Sequence, residues 1–245
     1  MVIFDSAEYW QSHTWDRYVD LRRVPRAVKA EFLRQEELTI SKLLPLLNGK
    51  GEFRIMDLAC GPGRIADSVL QATSSKSNIS MTLVDFNSGT LELARENVKG
   101  YQNVSFLVAT AYEIGNVFDR CFDAVICLEL LHHISDLDLL FGQIARVLKP
   151  GGILIGNVFA LESYAEWDKL KHGSIKSLRR RLLCSLSEVF YGKSPDAVKR
   201  IIRRLGLARI SPLSREELVA SLESHFESFE IATSYYYWFS ARGAR

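Results

Sequence analysis

Between Phe53 and Val158 the chain alternates short apolar runs with segments of helix length, and few folds accommodate that pattern. The runs are Phe53–Leu58, Ile79–Val84, Val104–Val108, Phe122–Leu128 and Ile153–Val158, with amphipathic stretches at Arg64–Ala72, Thr90–Asn97 and Leu137–Leu148. A nearly continuous apolar run has no polar side to turn to water. Such strands are buried on both faces, as in parallel sheets. Right-handed crossovers then place helices on both sides. Near the end of the chain, Phe229–Ala232, a Thr233-Ser234 turn and Tyr235–Ser240 read as a hairpin that closes the sheet with an antiparallel strand. The expectation is an α/β fold: a doubly wound, mostly parallel seven-stranded sheet with N-terminal helices and a helical insertion after strand five.

This divides the chain into four segments. Residues 1–50 form a helical lid or cap, its start crowded with Phe4, Tyr9, Trp10, Trp15 and Tyr18. Pro25 opens a second helix there, with apolar positions Val28, Phe32, Leu33, Ile40, Leu43 and Leu44, and Pro45 and Asn48-Gly49-Lys50-Gly51 end it. Residues 51–160 are the sheet-bearing core, 161–225 a basic helical insertion, and 226–245 the closing hairpin. Within the insertion, Ser194-Pro195 reads as an N-cap followed by a first-turn proline, and Ser214-Arg-Glu-Glu217 as a capping box.

With 47% hydrophobic and 24% charged residues, bulk disorder is excluded, and no apolar run approaches a membrane span. The opening residues carry acids and no basic stretch ahead of an apolar one, so no secretory leader is expected. Cys60, Cys121, Cys127 and Cys184 show neither CxxC spacing nor histidines at zinc distances. They read as reduced thiols of a cytoplasmic protein without a metal site. Charge is distributed unevenly: residues 161–210 hold twelve Lys/Arg against five Asp/Glu, and the rest of the chain is net acidic.

The chemistry lies in Asp57-Leu-Ala-Cys-Gly61-Pro-Gly63-Arg64-Ile-Ala66, directly after the first strand. Glycines at a strand-to-helix turn let backbone approach a ligand closely, beside the free N–H groups of a helix N-terminus. The second strand ends in Val84-Asp85-Phe86, an acid placed to accept hydrogen bonds from both hydroxyls of a ribose. The glycines also fit the dinucleotide pattern G-x-G-x-x-A. Asp57 argues otherwise, because a carboxylate there attracts an ammonium group and repels a pyrophosphate.

Asp57-Leu-Ala-Cys-Gly-Pro-Gly63 resembles motif I of the class I S-adenosylmethionine-dependent methyltransferases, and Val84-Asp85 their ribose-binding acid. Phe122–His133 is similar to their fourth-strand motif and Leu148–Leu154 to the turn into their fifth strand, with the ubiquinone-biosynthesis-like small-molecule branch the nearest in flavour. The resemblance covers roughly residues 53–158 and the closing hairpin, and implies a Rossmann-like methyltransferase fold. It implies S-adenosyl-L-methionine as cofactor, with Asp57 toward the methionine ammonium and the backbone of Ala59, Gly61 and Gly63 along the methionine. Asp85 would hold the ribose, Phe86 would lie against the adenine, and Leu128 would offer a backbone carbonyl to the amino group. Where the family often shows Gly-Asp-Ala after strand three, this chain has Ala109-Thr110-Ala111-Tyr112. Thr110, beside Ala111, would take the acid's place at the adenine amino group as an uncharged and weaker acceptor.

A sulfonium is an already activated methyl donor, so the protein must hold an acceptor in line and exclude water. His132 and His133 follow strand four, and one of them, His133 by preference, is a candidate base or orienter. Glu129 reads as a structural or cofactor-side acid. Tyr9, Trp15, Tyr18, Tyr164 and Trp167 are candidate acceptor contacts. The basic stretch, including Lys176, Arg179, Arg200, Arg203 and Arg204, reads as solvated surface or as a counterpart for an anionic acceptor. The expected function is transfer of a methyl group by in-line displacement to a small molecule. The alternatives are an RNA-modifying methyltransferase using residues 176–209, a nicotinamide-dependent oxidoreductase, and a non-catalytic partner subunit of the same fold. The Asn/Asp-Pro-Pro-Tyr type of motif that amino-directed nucleic-acid enzymes carry after strand four is replaced by Leu-His-His-Ile.

Overall fold

The computed structural model describes residues 26–48, 51–73, 78–163, 166 and 212–245. Helix α1 (Arg26–Leu43) and a 3-10 turn (Leu44–Asn48) lead into β1 (Phe53–Leu58). There follow α2 (Arg64–Ala72), β2 (Ile79–Asp85), α3 (Ser88–Asn97), β3 (Val104–Val108), a four-residue α4 (Ile114–Val117) and β4 (Phe122–Cys127). A 3-10 turn (Leu131–His133) precedes α5 (Leu137–Val147) and β5 (Leu148–Phe159), and α6 (Arg215–His225), β6 (Phe226–Thr233) and β7 (Tyr236–Ala244) complete the described chain.

The strands form one seven-stranded sheet in the order β3-β2-β1-β4-β5-β7-β6. The first five run parallel, and β7 pairs antiparallel with both β5 and β6. The sheet is thus the mostly parallel, seven-stranded one expected. Alternate residues of each inner strand feed opposite cores, so Ile55 packs with α1, α2 and α3 while Met56 packs with α5 and α6. The chain order reverses between β1 and β4, which are neighbours in the sheet. In open α/β sheets that switch point opens a crevice at the carboxyl ends of the strands.

Several local devices follow directly from residue type. Asn87 and Asp136 cap α3 and α5 through their side chains. Ser214 and Glu217 form the reciprocal capping box of α6. The chain leaves the sheet at Ala160 and returns beside it: Leu213 N–H donates to the Phe159 carbonyl and Leu161 N–H to the Leu213 carbonyl. The segment after strand five is therefore an insertion with adjoining ends. Its Ser194-Pro195 helix start and its basic residues lie outside the described residues, as does the chain before Arg26.

Three expectations are corrected. Strand β5 begins at Leu148, not Ile153, because Phe122 pairs with Leu148 across an irregular register. The short α4 lies between β3 and β4 where no helix was expected. Leu33 and Leu44, read as core positions of the second helix, are 46% and 40% exposed. The inward face of α1 carries Val28, Glu31, Phe32, Gln35, Thr39 and Leu43 instead, half of it polar. Partners on the sheet make that face burial-competent, and hydrophobicity alone does not reveal them.

Candidate active site

Strand β1 ends with Asp57 and Leu58 paired to Leu83 and Val84 of β2, so the two acids sit on neighbouring strand tips. Three of the next five residues turn left-handed: Ala59 at φ 58°, Gly61 at φ 54° and Gly63 at φ 81°. Glycine adopts this region freely, whereas Ala59 holds it at a cost of about 1 kcal/mol, the kind of local strain found at binding loops. The loop is braced from behind. Gly63 N–H donates to the Cys60 carbonyl, Cys60 N–H to the Val84 carbonyl, and Asn97 Nδ2 to the Pro62 carbonyl. A side chain on Gly63 would meet Ala94 of α3 at 3.2 Å, whereas one on Gly61 would enter open space. Gly63 thus serves the close approach of loop and helix, and Gly61 lines an opening.

The two acids are partnered differently. Asp85 is 7% exposed, and its carboxylate accepts from Gly61 N–H and Asn87 N–H, each at 3.0 Å. Burial raises its pKa, and the amides of Asn87, Gly61 and Phe86 oppose that rise. Asp57 is 3% exposed, and its Oδ2 has no hydrogen-bond partner among the described residues. Burial pushes the Asp57 carboxyl up to about 7, the Arg64 guanidinium opposes the shift, and the Asp85 charge adds to it. A buried carboxylate oxygen without a donor is costly unless a ligand supplies one. An ammonium group would satisfy it; a pyrophosphate would worsen it.

The other predicted residues fall around this crevice to different degrees. Phe86 is half-buried just beyond Asp85, and Leu128 is buried one residue past β4. Thr110 is exposed after β3; its hydroxyl donates to Glu113 Oε2 at 2.7 Å and its N–H donates to the same oxygen at 3.0 Å. Ala111, next to it, is half-buried. The hydroxyl proton thus points to an acid that the sequence reading did not single out, and its lone pairs remain as acceptors. His132 is 3% exposed, its ring centroid 4.4 Å from Phe159 and 4.3 Å from His133. His133 is half-buried on the same 3-10 turn. Of the pair, His133 is therefore the more open. Tyr9, Trp15, Tyr18, Tyr164 and Trp167 lie outside the described residues.

Beyond β4 the chain turns left-handed at Glu129, φ 58°. Its carboxylate accepts from Gln35 Nε2 at 2.7 Å, Asn157 Nδ2 at 3.0 Å and Tyr236 OH at 3.1 Å, and its own N–H donates to Asn157 Oδ1 at 2.7 Å. The sequence alone marks none of Gln35, Asn157 and Tyr236 as a site residue; Asn157 and Tyr236 read there only as strand positions. The available signal was the polar spacing Glu31, Gln35, Thr39, one turn apart on an otherwise apolar face.

Fold and site together define a class: a Rossmann-like domain that holds a nucleoside cofactor bearing an ammonium group. A family model for the methyltransferase domain matches residues 50–204, and the chain belongs to that family. It is of the class I, S-adenosylmethionine-dependent type, and the acceptor carboxylates of Asp57 and Asp85 fit that cofactor's ammonium group and ribose hydroxyls. Over 119 residues the chain is 29% identical to the ubiquinone biosynthesis O-methyltransferase of Alkalilimnicola ehrlichii, which covers 48% of this chain and 46% of that protein. Over 117 residues it is 35% identical to the putative methyltransferase YqeM of Bacillus subtilis, covering 46% and 45%. The match thus spans about half the length of these relatives. The N-methyltransferase NodS of Bradyrhizobium japonicum, solved with S-adenosylhomocysteine, shares the fold at a TM-score of 0.57 and 12% identity, over 99% of both chains. Among the described residues, no helix is long and apolar enough to cross a membrane.

Proposed function

We propose that this chain transfers a methyl group to a small-molecule acceptor by direct in-line displacement. The observation that carries the reading is Asp57: a buried carboxylate with an unpartnered oxygen, on the strand tip beside Asp85, in a family that uses a sulfonium nucleoside. When bound, the cofactor supplies an activated methyl group on sulfur. Asp57 takes its ammonium group, and Asp85 takes the ribose hydroxyls while Gly61 and Asn87 N–H groups hold the carboxylate in place. Leu128 offers its carbonyl to the ammonium group, Phe86 backs the adenine, and Thr110 accepts from the adenine amino group. His133, the more open of the two histidines, removes or holds the acceptor proton.

The small-molecule reading is supported by Leu-His-His-Ile after β4 and by relatives that bear the name of a ubiquinone biosynthesis enzyme. Tyr9, Trp15, Tyr18, Tyr164 and Trp167 are the candidate contacts for such an acceptor, and the basic residues of 176–209 suit an anionic one. Cys60, Cys121 and Cys127 are free thiols, which suits a reducing, cytoplasmic setting.

Isothermal titration with S-adenosylmethionine and S-adenosylhomocysteine, with NADH as control, tests the cofactor. Micromolar binding of both sulfur nucleosides and none of NADH is expected; the reverse order overturns the reading. Once an acceptor is found, His133→Ala should lower the methyl-transfer rate by about a hundredfold. Cofactor affinity should stay within about twofold. Full activity in both His132→Ala and His133→Ala would remove histidine from the mechanism.

A further inference from the structure

Gln35 is fully buried, at 0% exposure, and both ends of its amide are engaged by charged side chains far away in sequence. Its Oε1 accepts from Arg64 Nη2 at 2.6 Å, and its Nε2 donates to Glu129 Oε1 at 2.7 Å. Arg64 is the first residue of α2, directly after Gly63, and Glu129 is the left-handed residue beyond β4. Each is held from another side. Arg64 pairs with Glu36 at 2.6 Å, donates to the Phe32 carbonyl at 3.1 Å and lies over the Phe32 ring at 4.7 Å. Glu129 is held by Asn157 and Tyr236.

An amide is suited to this position because one end accepts and the other donates. A carboxylate would meet Glu129 with like charge, an ammonium would meet Arg64 with like charge, and an apolar side chain would leave two half-buried charged groups each short of a partner. Volume alone does not call for it, since methionine fills nearly the same space.

We propose that Gln35 is a positioning residue for the cofactor site: its amide ties the exit of the glycine loop, through Arg64, to the turn beyond strand four, through Glu129. It thereby fixes the separation of the two banks between which the cofactor's methionine end lies. The inference rests on the cofactor reading above.

The test is titration of the full chain with S-adenosylhomocysteine, alongside thermal unfolding, for wild type, Gln35→Glu, Gln35→Met and the exchange Gln35→Glu/Glu129→Gln. Gln35→Glu and Gln35→Met should each weaken binding at least about tenfold. In the exchange variant, the carboxylate at position 35 accepts from both Arg64 and the amide at position 129. Asn157 Nδ2, which donates to the same Glu129 oxygen as Gln35, then faces an amide NH2, so the rescue is partial. Affinity should be at least about threefold tighter than in Gln35→Glu, a gain that a packing role would not produce. Wild-type binding with both single variants within about twofold of it overturns the inference alone. So does an exchange variant no tighter than Gln35→Glu, or one that fails to fold. If Gln35→Glu itself does not fold, the exchange variant is compared with Gln35→Met by the same threefold criterion. A wild-type chain that binds no sulfur nucleoside overturns the cofactor reading and this inference with it.

Discussion

The carboxyl edge of the sheet has two banks that treat their acids in opposite ways. On the β1–β2 bank, Asp57 keeps an oxygen without a donor among the described residues, and the loop beyond it is held in left-handed backbone at Ala59, Gly61 and Gly63. On the β4–β5–β7 bank, Glu129 also sits in left-handed backbone, yet its carboxylate accepts three hydrogen bonds from Gln35, Asn157 and Tyr236. A carboxylate saturated by its own protein is part of the scaffold. One left short of a donor stores an unmet demand that a ligand can answer, and the protein carries the cost until it does. Asp85 stands between these extremes, anchored by backbone N–H groups yet with acceptor capacity left for a ribose.

This contrast can be broken most sharply at Asp57. Asp57→Asn removes the charge and keeps the shape, and should weaken S-adenosylhomocysteine binding by about a hundredfold or more. The unfolding temperature of the ligand-free chain at pH 8 should hold or rise, because a buried uncompensated charge has gone. A loss of stability without loss of affinity would make Asp57 a scaffold acid like Glu129. Asp85→Ala is next. It removes the acceptor of the ribose hydroxyls, and since one hydrogen bond to a charged group is worth about 1.5–3 kcal/mol, affinity should fall at least about tenfold by titration. Unlike the Asp57 change, it should also lower stability by about 1–3 kcal/mol, since Gly61 and Asn87 N–H lose their acceptor.

The smallest effect is the pH response. Folding raises the Asp57 carboxyl from its ordinary 3.8 to about 7, so between those values the folded chain holds a proton that the unfolded chain has released. Its contribution to stability therefore declines as pH rises from about 4 to about 7. Ligand binding runs the other way. An ammonium group needs the ionised carboxylate, so affinity for S-adenosylhomocysteine should rise about tenfold from pH 6 to pH 8. Titrations in buffers of different ionisation enthalpy should show a proton released on binding at pH 6, and the release should vanish in Asp57→Asn.

Much of the scaffold is legible in the residues because it depends on local rules. Apolar runs bounded by turn residues gave β1 and β3 to the residue, and Ser214-Arg-Glu-Glu217 announced the start of α6. The glycine loop and the acid closing β2 are legible for the same reason: backbone conformation and the spacing from strand to helix are short-range properties. The Asp57–Asp85 pairing follows once β1 and β2 are laid side by side.

The α1 face, the Thr110–Glu113 contact and the Gln35 bridge depended on something else. Gln35 meets Glu129 across 94 residues and Arg64 across 29, and the one-turn spacing of Glu31, Gln35 and Thr39 within α1 does not say which partners they meet. Leu33 and Leu44 look like core by composition, yet both are exposed, while Gln35 faces inward to Arg64 and Glu129. The sequence by itself determined the alternation that builds the sheet and the motif that marks the cofactor crevice. Only the tertiary structure decided which acid keeps an oxygen without a donor among the described residues, because hydrogen-bond satisfaction is a property of neighbours that the chain order does not record.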